Sequence, residues 1–195
     1  MVQVKKDEVR LAIMRSASRL FKSKGYVGTT TAAIARGAKV SEANLYKYFH
    51  SKFEILFELY EPWLRERFDE LESSIAAERD PRNRVTTVLR ALWIDIPTAD
   101  NGFTNNLMQA ITSAKRSDRY SPDLLNWAEG RIEALLLATL PARSRSRLTR
   151  GKLVHVLMMA QDGFAMNAHL PSSRMCSDES IEMMCDLICG AKRKE

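Results

Sequence analysis

Between Ser41 and His50 the chain reads SEANLYKYFH, and several of these side chains are of kinds that touch nucleic-acid bases. Wound as a helix, the segment places Leu45 and Phe49 four apart on one face, turned inward. Glu42, Ala43, Asn44, Lys47 and Tyr48 then face outward. Asn reads adenine with two hydrogen bonds, Lys reaches guanine acceptors, and Ala meets a thymine methyl. Glu42 keeps two readings: it accepts from cytosine N4, or it favours the start of its own helix. For Tyr48 the plainer alternative is core packing, and for Lys47 a solvated charge.

Other chemistries lack their residues. His50, His155 and His169 belong to no H-E-x-x-H pattern, and there is no G-x-S-x-G, no phosphate-binding loop of the P-loop type and no dinucleotide glycine fingerprint. Cys185 and Cys189 share a helix face without a third ligand near in sequence, so packed thiols are expected and no metal. Asp95 and Asp162 lie among apolar residues, either to meet a cationic ligand or to sit at the surface. The expectation is a protein that is not an enzyme and holds no cofactor.

Charge placement points the same way. The net charge is +6. Residues 1–52 hold 11 Lys/Arg against 3 Asp/Glu, and residues 53–195 hold 19 against 21, so the whole positive excess lies in the first quarter. A field of one sign over ~50 residues attracts a polyanion there. Nucleic acid fits; an anionic membrane surface and a merely solvated basic face are the alternatives. Apolar residues make up 45% and charged residues 28%, which is globular usage and argues against a disordered chain. No apolar run reaches the ~18 residues of a membrane span. The first residues hold no apolar signal core, and three cysteines fit reduced thiols, so the cytoplasm is expected.

The elements that must position these residues are helical. Val9, Ile13, Ala17, Leu20 and Phe21 mark one helix that Gly25 stops. Thr29, Thr30 and Thr31 offer N-caps for a short helix with Ile34 and Ala35. Ser41 caps a third helix, with Val40 and Leu45 as a hydrophobic staple, and Ser51 with Glu54 has capping-box spacing for a fourth. That fourth helix is predicted from Lys52 to about Glu78, kinked or broken at Pro62. Further helices are predicted from Asp80–Pro81 through Trp93 with Pro97 as the end, from Phe103 to about Lys115, from Ser121–Pro122–Asp123 to near Pro141, onward to about His169, and last to near Gly190. Arg143–Arg150 reads as a basic helix start or loop, residues 171–177 as a loop, and Lys192–Lys194 as a frayed tail. The fold class is all-α with about nine helices: a three-helix unit at residues 1–52 and a helical bundle at 53–195.

The stretch TTAAIARGAKVSEANLYKYFHSKFEIL, Thr30 to Leu56, resembles the helix-turn-helix of the TetR family of bacterial transcriptional regulators. The Thr cluster, Ile34–Ala35, Ala38-x-Val40–Ser41, Leu45–Tyr46, Phe49 and Ser51–Lys52 carry the likeness, which spans about residues 8–57. It implies a three-helix DNA-binding domain whose third helix enters the major groove. It also implies phosphate contacts from Thr30 or Thr31, Tyr46 and Lys52; helix starts and a nearby Lys suit that task. Packing is the alternative for Tyr46, and a solvated charge for Lys52. One position departs from the family: Lys39 stands where the turn between helices two and three usually carries Gly. Either the turn differs, or Lys39 adds a phosphate contact at a strain cost on the order of 1 kcal/mol. Gly37 is expected to loosen the end of helix two.

The resemblance further implies a C-terminal bundle that dimerises and binds a small molecule. Leu153, Leu157, Ala160 and Phe164, with Ile181, Met184, Cys185 and Ile188, recur at helical spacing and are predicted to form a homodimer interface through the last two long helices. Six methionines (Met158, Met159, Met166, Met175, Met183 and Met184) cluster in this region. Trp63, Trp93, Phe103, Met108 and Trp127 are candidate ligand-pocket residues, with ordinary core as the alternative. The function that follows is a cytoplasmic regulator that binds a palindromic operator on double-stranded DNA as a dimer, most simply a repressor released by a small apolar or amphipathic effector. The alternatives are an all-helical interaction adaptor, or a ligand-independent regulator or activator.

Overall fold

In a computed structural model, residues 2–99, 102–114, 121–140, 145, 152–168 and 175–190 are described. Among them every regular element is a helix. They are α1 (Val2–Lys24), α2 (Thr31–Gly37), α3 (Glu42–Leu45), α4 (Lys52–Ala77), α5 (Pro81–Arg90), a π-helical segment (Ala91–Asp95), α6 (Ile96–Ala99), α7 (Phe103–Thr112), α8 (Asp123–Thr139), α9 (Lys152–Asn167) and α10 (Asp178–Cys189). His169, the loop at 171–174, most of Arg143–Arg150 and the tail Lys192–Lys194 lie outside the described residues.

The chain gathers into two compact units: Met1–Leu64 with Asn101–Ser121, and Arg65–Asp100 with Pro122–Glu195. In the first, local signals set each helix end. Gly25 takes φ 69, a conformation that costs a residue without Cβ little, and α1 stops there. Thr30 caps α2, its hydroxyl accepting from the Ala33 N–H at 3.1 Å. Ser41 caps α3 through the Asn44 N–H, also at 3.1 Å. Ser51 accepts from the Glu54 N–H at 3.1 Å while the Glu54 carboxylate accepts from the His50 N–H. Ile13, Ala17 and Phe21 of α1 pack with Ile34 and Ala35 of α2, with Leu45 and Phe49, and with Leu56 of α4.

Two features of this unit differ from expectation. Spacing predicts the third helix over Ser41–His50, but α3 ends at Leu45, and Lys47 and Tyr48 continue it with bonds to carbonyls only three residues back. The tighter turn lets Phe49 follow Leu45 into the core before α4 begins. The second is α7. Its Ala110 is fully buried in this core, and Phe103 packs against it.

In the second unit Asp80 caps α5 by accepting from the Arg82 and Asn83 N–H groups, with Pro81 at the first turn. Pro97 does not end the helix that begins there. The path runs on to Ala99 through the π-helical segment, in which the Ile96 N–H bonds to the Ala91 carbonyl five residues back. Pro97 has no N–H to donate, and the widened turn just ahead of it shifts the ladder. Pro62 likewise lies inside α4 without breaking it. Val85, Leu89, Leu92, Ile132, Leu136, Val154, Leu157 and Ile181 supply the buried interior. Arg82 pairs with Asp186 and Arg90 with Asp178, clipping α10 to α5.

Candidate nucleic-acid interface

The outward residues of the α3 region divide by task. Ala43 and Lys47 are exposed and Asn44 is half-buried, so a base edge can reach them. Ser41 is spent on its cap. Tyr48 is half-buried and packs on the core. Glu42 sits in the first turn of α3 and accepts from the Thr31 hydroxyl, and the Tyr46 hydroxyl donates to the same Thr31 oxygen at 3.3 Å. Tyr46 is 46% exposed, so its ring is not a core aromatic. A Tyr46–Thr31–Glu42 chain of hydroxyls and carboxylate thus ties the third helix to the start of the second.

Lys52 has a different place from a free cation. Its Nζ donates to the Tyr26 and Thr29 carbonyls at 2.7 and 2.8 Å and lies 3.9 Å from the centre of the Tyr26 ring. It therefore holds the turn that presents Thr30 and Thr31. The Thr29 hydroxyl donates to the Gly25 carbonyl at 2.7 Å and closes the same turn. Tyr26, Val27, Thr31, Tyr46, His50, Ser51, Lys52 and Ser113 line a groove of about 410 Å³ here. His50 and Ser113 had no signal in the local pattern.

Helix α7 reaches this turn directly. The Val27 N–H donates to Gln109 Oε1 at 3.1 Å, and the Asn106 side-chain N–H donates to the Phe21 carbonyl at 3.4 Å. A Cβ on Gly25 would stand 3.2 Å from Gln109 Oε1. Asn106 Oδ1 is buried with no partner among the described residues, so this joint is polar and incompletely satisfied.

Two glycine questions resolve. A Cβ on Gly37 would fall 2.2 Å from Ser16 Oγ, which donates to the Ile34 carbonyl, so Gly37 lets α1 approach α2 closely rather than loosening its end. Lys39 takes φ 59, so the turn has the left-handed geometry that suits Gly, and the lysine holds it at a cost on the order of 1 kcal/mol.

The remaining candidates are distributed over both units. Trp63 and Phe103 are in ring contact at 5.5 Å in the first unit, with Tyr60 beside them; Met108 on α7 is half-buried. In the second unit Trp93 donates to the Leu157 carbonyl at 3.1 Å and contacts Phe164, whereas Trp127 packs on Phe68 beneath Arg65 and Arg131. An open groove of about 530 Å³ in this unit is lined by Glu72, Ile75, Ala76, Arg84, Ala134 and Leu135, none of them a predicted pocket residue. Burial pushes the Asp162 carboxyl up to about 6 and raises Asp95, where Arg90 opposes the shift.

The residues expected at a dimer face divide by burial. Leu157, Ile181, Cys185 and Ile188 are buried within their own unit, and Leu153, Ala160, Phe164 and Met184 flank them half-buried. The apolar side chains of α9 and α10 that face out are Val156, Met159, Met166, Met183 and Leu187. Both faces of α9 are apolar, so periodicity could not choose between them.

Known proteins match this geometry. The family model of bacterial regulatory proteins, tetR family, matches residues 13–59. The HTH-type transcriptional regulator HbdR of Aromatoleum sp. (strain CIB) is 47% identical over 51 residues, 26% of this chain and 22% of that protein, so the match spans under a quarter of that relative. The HTH-type transcriptional regulator BetI of Rhizobium meliloti (strain 1021) is 26% identical over 187 residues, 92% of this chain and 87% of that one. The transcriptional regulator FadR of Bacillus subtilis, solved in complex with stearoyl-CoA, superimposes with a TM-score of 0.62 at 17% identity, covering 93% of this chain and 99% of that one. At that identity the likeness establishes the fold. The capped helices and the tied hydroxyls at α2 thus lie within residues 13–59, the stretch that matches the family model of bacterial regulatory proteins, tetR family.

Proposed function

We propose that the protein is a dimeric, sequence-specific regulator of transcription, a cytoplasmic repressor that binds a palindromic operator and is released by a small apolar or amphipathic effector. The observation that carries this is the pairing of two surfaces in one unit: Ala43 and Lys47 exposed and Asn44 half-buried on the α3 side, and Thr31 and Tyr46 held together beside them. Bases are read by the first set, and backbone phosphate is met by the second. Lys52 acts by positioning, because its ammonium holds the turn before Thr30. Residues 1–52 supply the DNA-binding part and 53–195 the effector and dimer part, with α7 built into the first.

A palindromic operator calls for two α3 segments on successive major grooves, roughly 34–36 Å apart, and the outward face of α9 and α10 is the proposed dimer contact. FadR with stearoyl-CoA supports an amphipathic effector. The effector favours the conformation whose reading helices are wrongly spaced. Helix α7 is the suited carrier of that change, since Gln109 and Asn106 bond the end of α1 and the turn after it.

Selection of bound duplexes from a random pool at near-physiological salt tests the reading. Enrichment of a palindrome with half-sites one helical turn apart is expected, and Lys47→Ala should relax preference at one base of each half-site. Binding that enriches no sequence and vanishes as salt rises would replace this function with a purely electrostatic one.

A further inference from the structure

The strained lysine at the α2–α3 turn stands in a setting of its own. Lys39 is the one non-glycine residue with positive φ among those described. It is exposed, and so are Arg36, three residues before it, and Arg19 on α1. The Arg19 guanidinium lies over Gly37, 3.3 Å from where a Cβ would stand, so the missing side chain seats it beside the turn. Among the described residues no acidic side chain pairs with Lys39, Arg36 or Arg19. Three cations thus gather at the C-terminal end of α2, while the hydroxyl cluster of Thr31 and Tyr46 belongs to its N-terminal end.

Strain of this kind persists where the surrounding structure or a function retains it. Glycine would relieve it without altering a packed contact, because Lys39 is not in the core. We propose that Lys39, backed by Arg36 and Arg19, is a second clamp on the DNA backbone, gripping phosphate at the opposite end of α2 from the Thr31–Tyr46 cluster. The inference rests on the DNA-binding reading and adds to it. The clamp carries no base information; it fixes the angle at which α3 meets the groove. A cation there also complements the negative end of α2, which is a purely stabilising role. The two roles give opposite results in one variant.

Lys39→Gly removes the charge and the strain together. Its melting temperature is expected to rise by a few degrees. Its affinity for a mixed-sequence duplex and for a selected operator should both fall, by about 3- to 10-fold. The slope of log affinity against log salt should become shallower by about 0.9 for each bound copy. Lys39→Asn, which tolerates the left-handed conformation, should repeat the affinity loss, and Lys39→Arg should restore affinity and slope. A Lys39→Gly protein that binds both duplexes with unchanged affinity and slope overturns the clamp. Wild-type protein that binds neither duplex overturns the DNA-binding reading itself, and the two failures are distinct.

Discussion

The two units hold their working surfaces in different ways. In the first, each helix end near the reading face is set within three or four residues, by Thr30 on Ala33, Ser41 on Asn44 and Ser51 on Glu54. In the second, the ties are long in sequence: Arg82 to Asp186, Arg90 to Asp178, and the Trp93 indole to the Leu157 carbonyl. Short caps preorganise a face that must match a fixed groove. Long-range ties across helices, beside exposed methionines that adapt to what they meet, suit the dimer and effector part proposed above. The helix ends around α3 are therefore set by local caps, with Lys52 and the Tyr46–Thr31–Glu42 chain tying them together, and the second unit is specified by packing.

Four substitutions probe that contrast. The largest effect belongs to packing. Leu157→Ala should cost about 2–5 kcal/mol, measured by denaturant unfolding, because the side chain is fully buried. Met159→Asp, one turn-face away and 43% exposed, should leave the protomer folded and shift sedimentation toward monomer. If Met159→Asp stays dimeric while the fold is intact, the outward face of α9 is not the contact.

Next comes Asp162. Its folded carboxyl lies near 6 against an ordinary 3.8, raised by burial. The folded state then holds a proton that the unfolded chain has lost between about pH 4 and 6, so stability falls as pH rises through that window and levels off above it. Asp162→Asn should flatten this dependence and stabilise the protein at pH 7 by up to about 3 kcal/mol, with little change at pH 4. Thermal melts across that range give the answer; a wild-type stability that climbs from pH 4 to 6 would reverse the argument.

The smallest effect is the local one. Ser41→Ala removes the α3 cap and should cost about 1 kcal/mol of stability. Its loss of operator affinity should exceed that stability change, since α3 spans only four residues and the cap is what orients it. Equal small losses in both would mean that Leu45 and Phe49 alone orient the reading segment.

Much of the first unit was legible. Gly25 as the stop of α1, the three caps and the inward pair Leu45 and Phe49 all follow from spacing, because each depends on residues three or four apart. Ser177, read as the end of a loop, caps α10 by the same rule, accepting from the Ser180 N–H at 3.2 Å. The short extent of α3 was not legible, since the tighter turn after Leu45 is drawn by the core beneath Phe49. Nor was the task of Lys52, whose carbonyl partners lie 23 and 26 residues away. The helix passing Pro97 depends on a π turn that propensity does not encode.

What the amino-acid order alone determined was the set of helices, their caps, the basic first quarter and the reading segment, because hydrogen bonds and periodicity within a few residues decide those. Only the tertiary structure decided which apolar face of α9 is core, that Phe103–Thr112 joins the first unit, and that Lys39 bears a glycine's turn. Those outcomes depend on which distant surfaces compete for burial, and a local pattern that is apolar on two faces, or a turn whose φ its own side chain opposes, leaves that competition open.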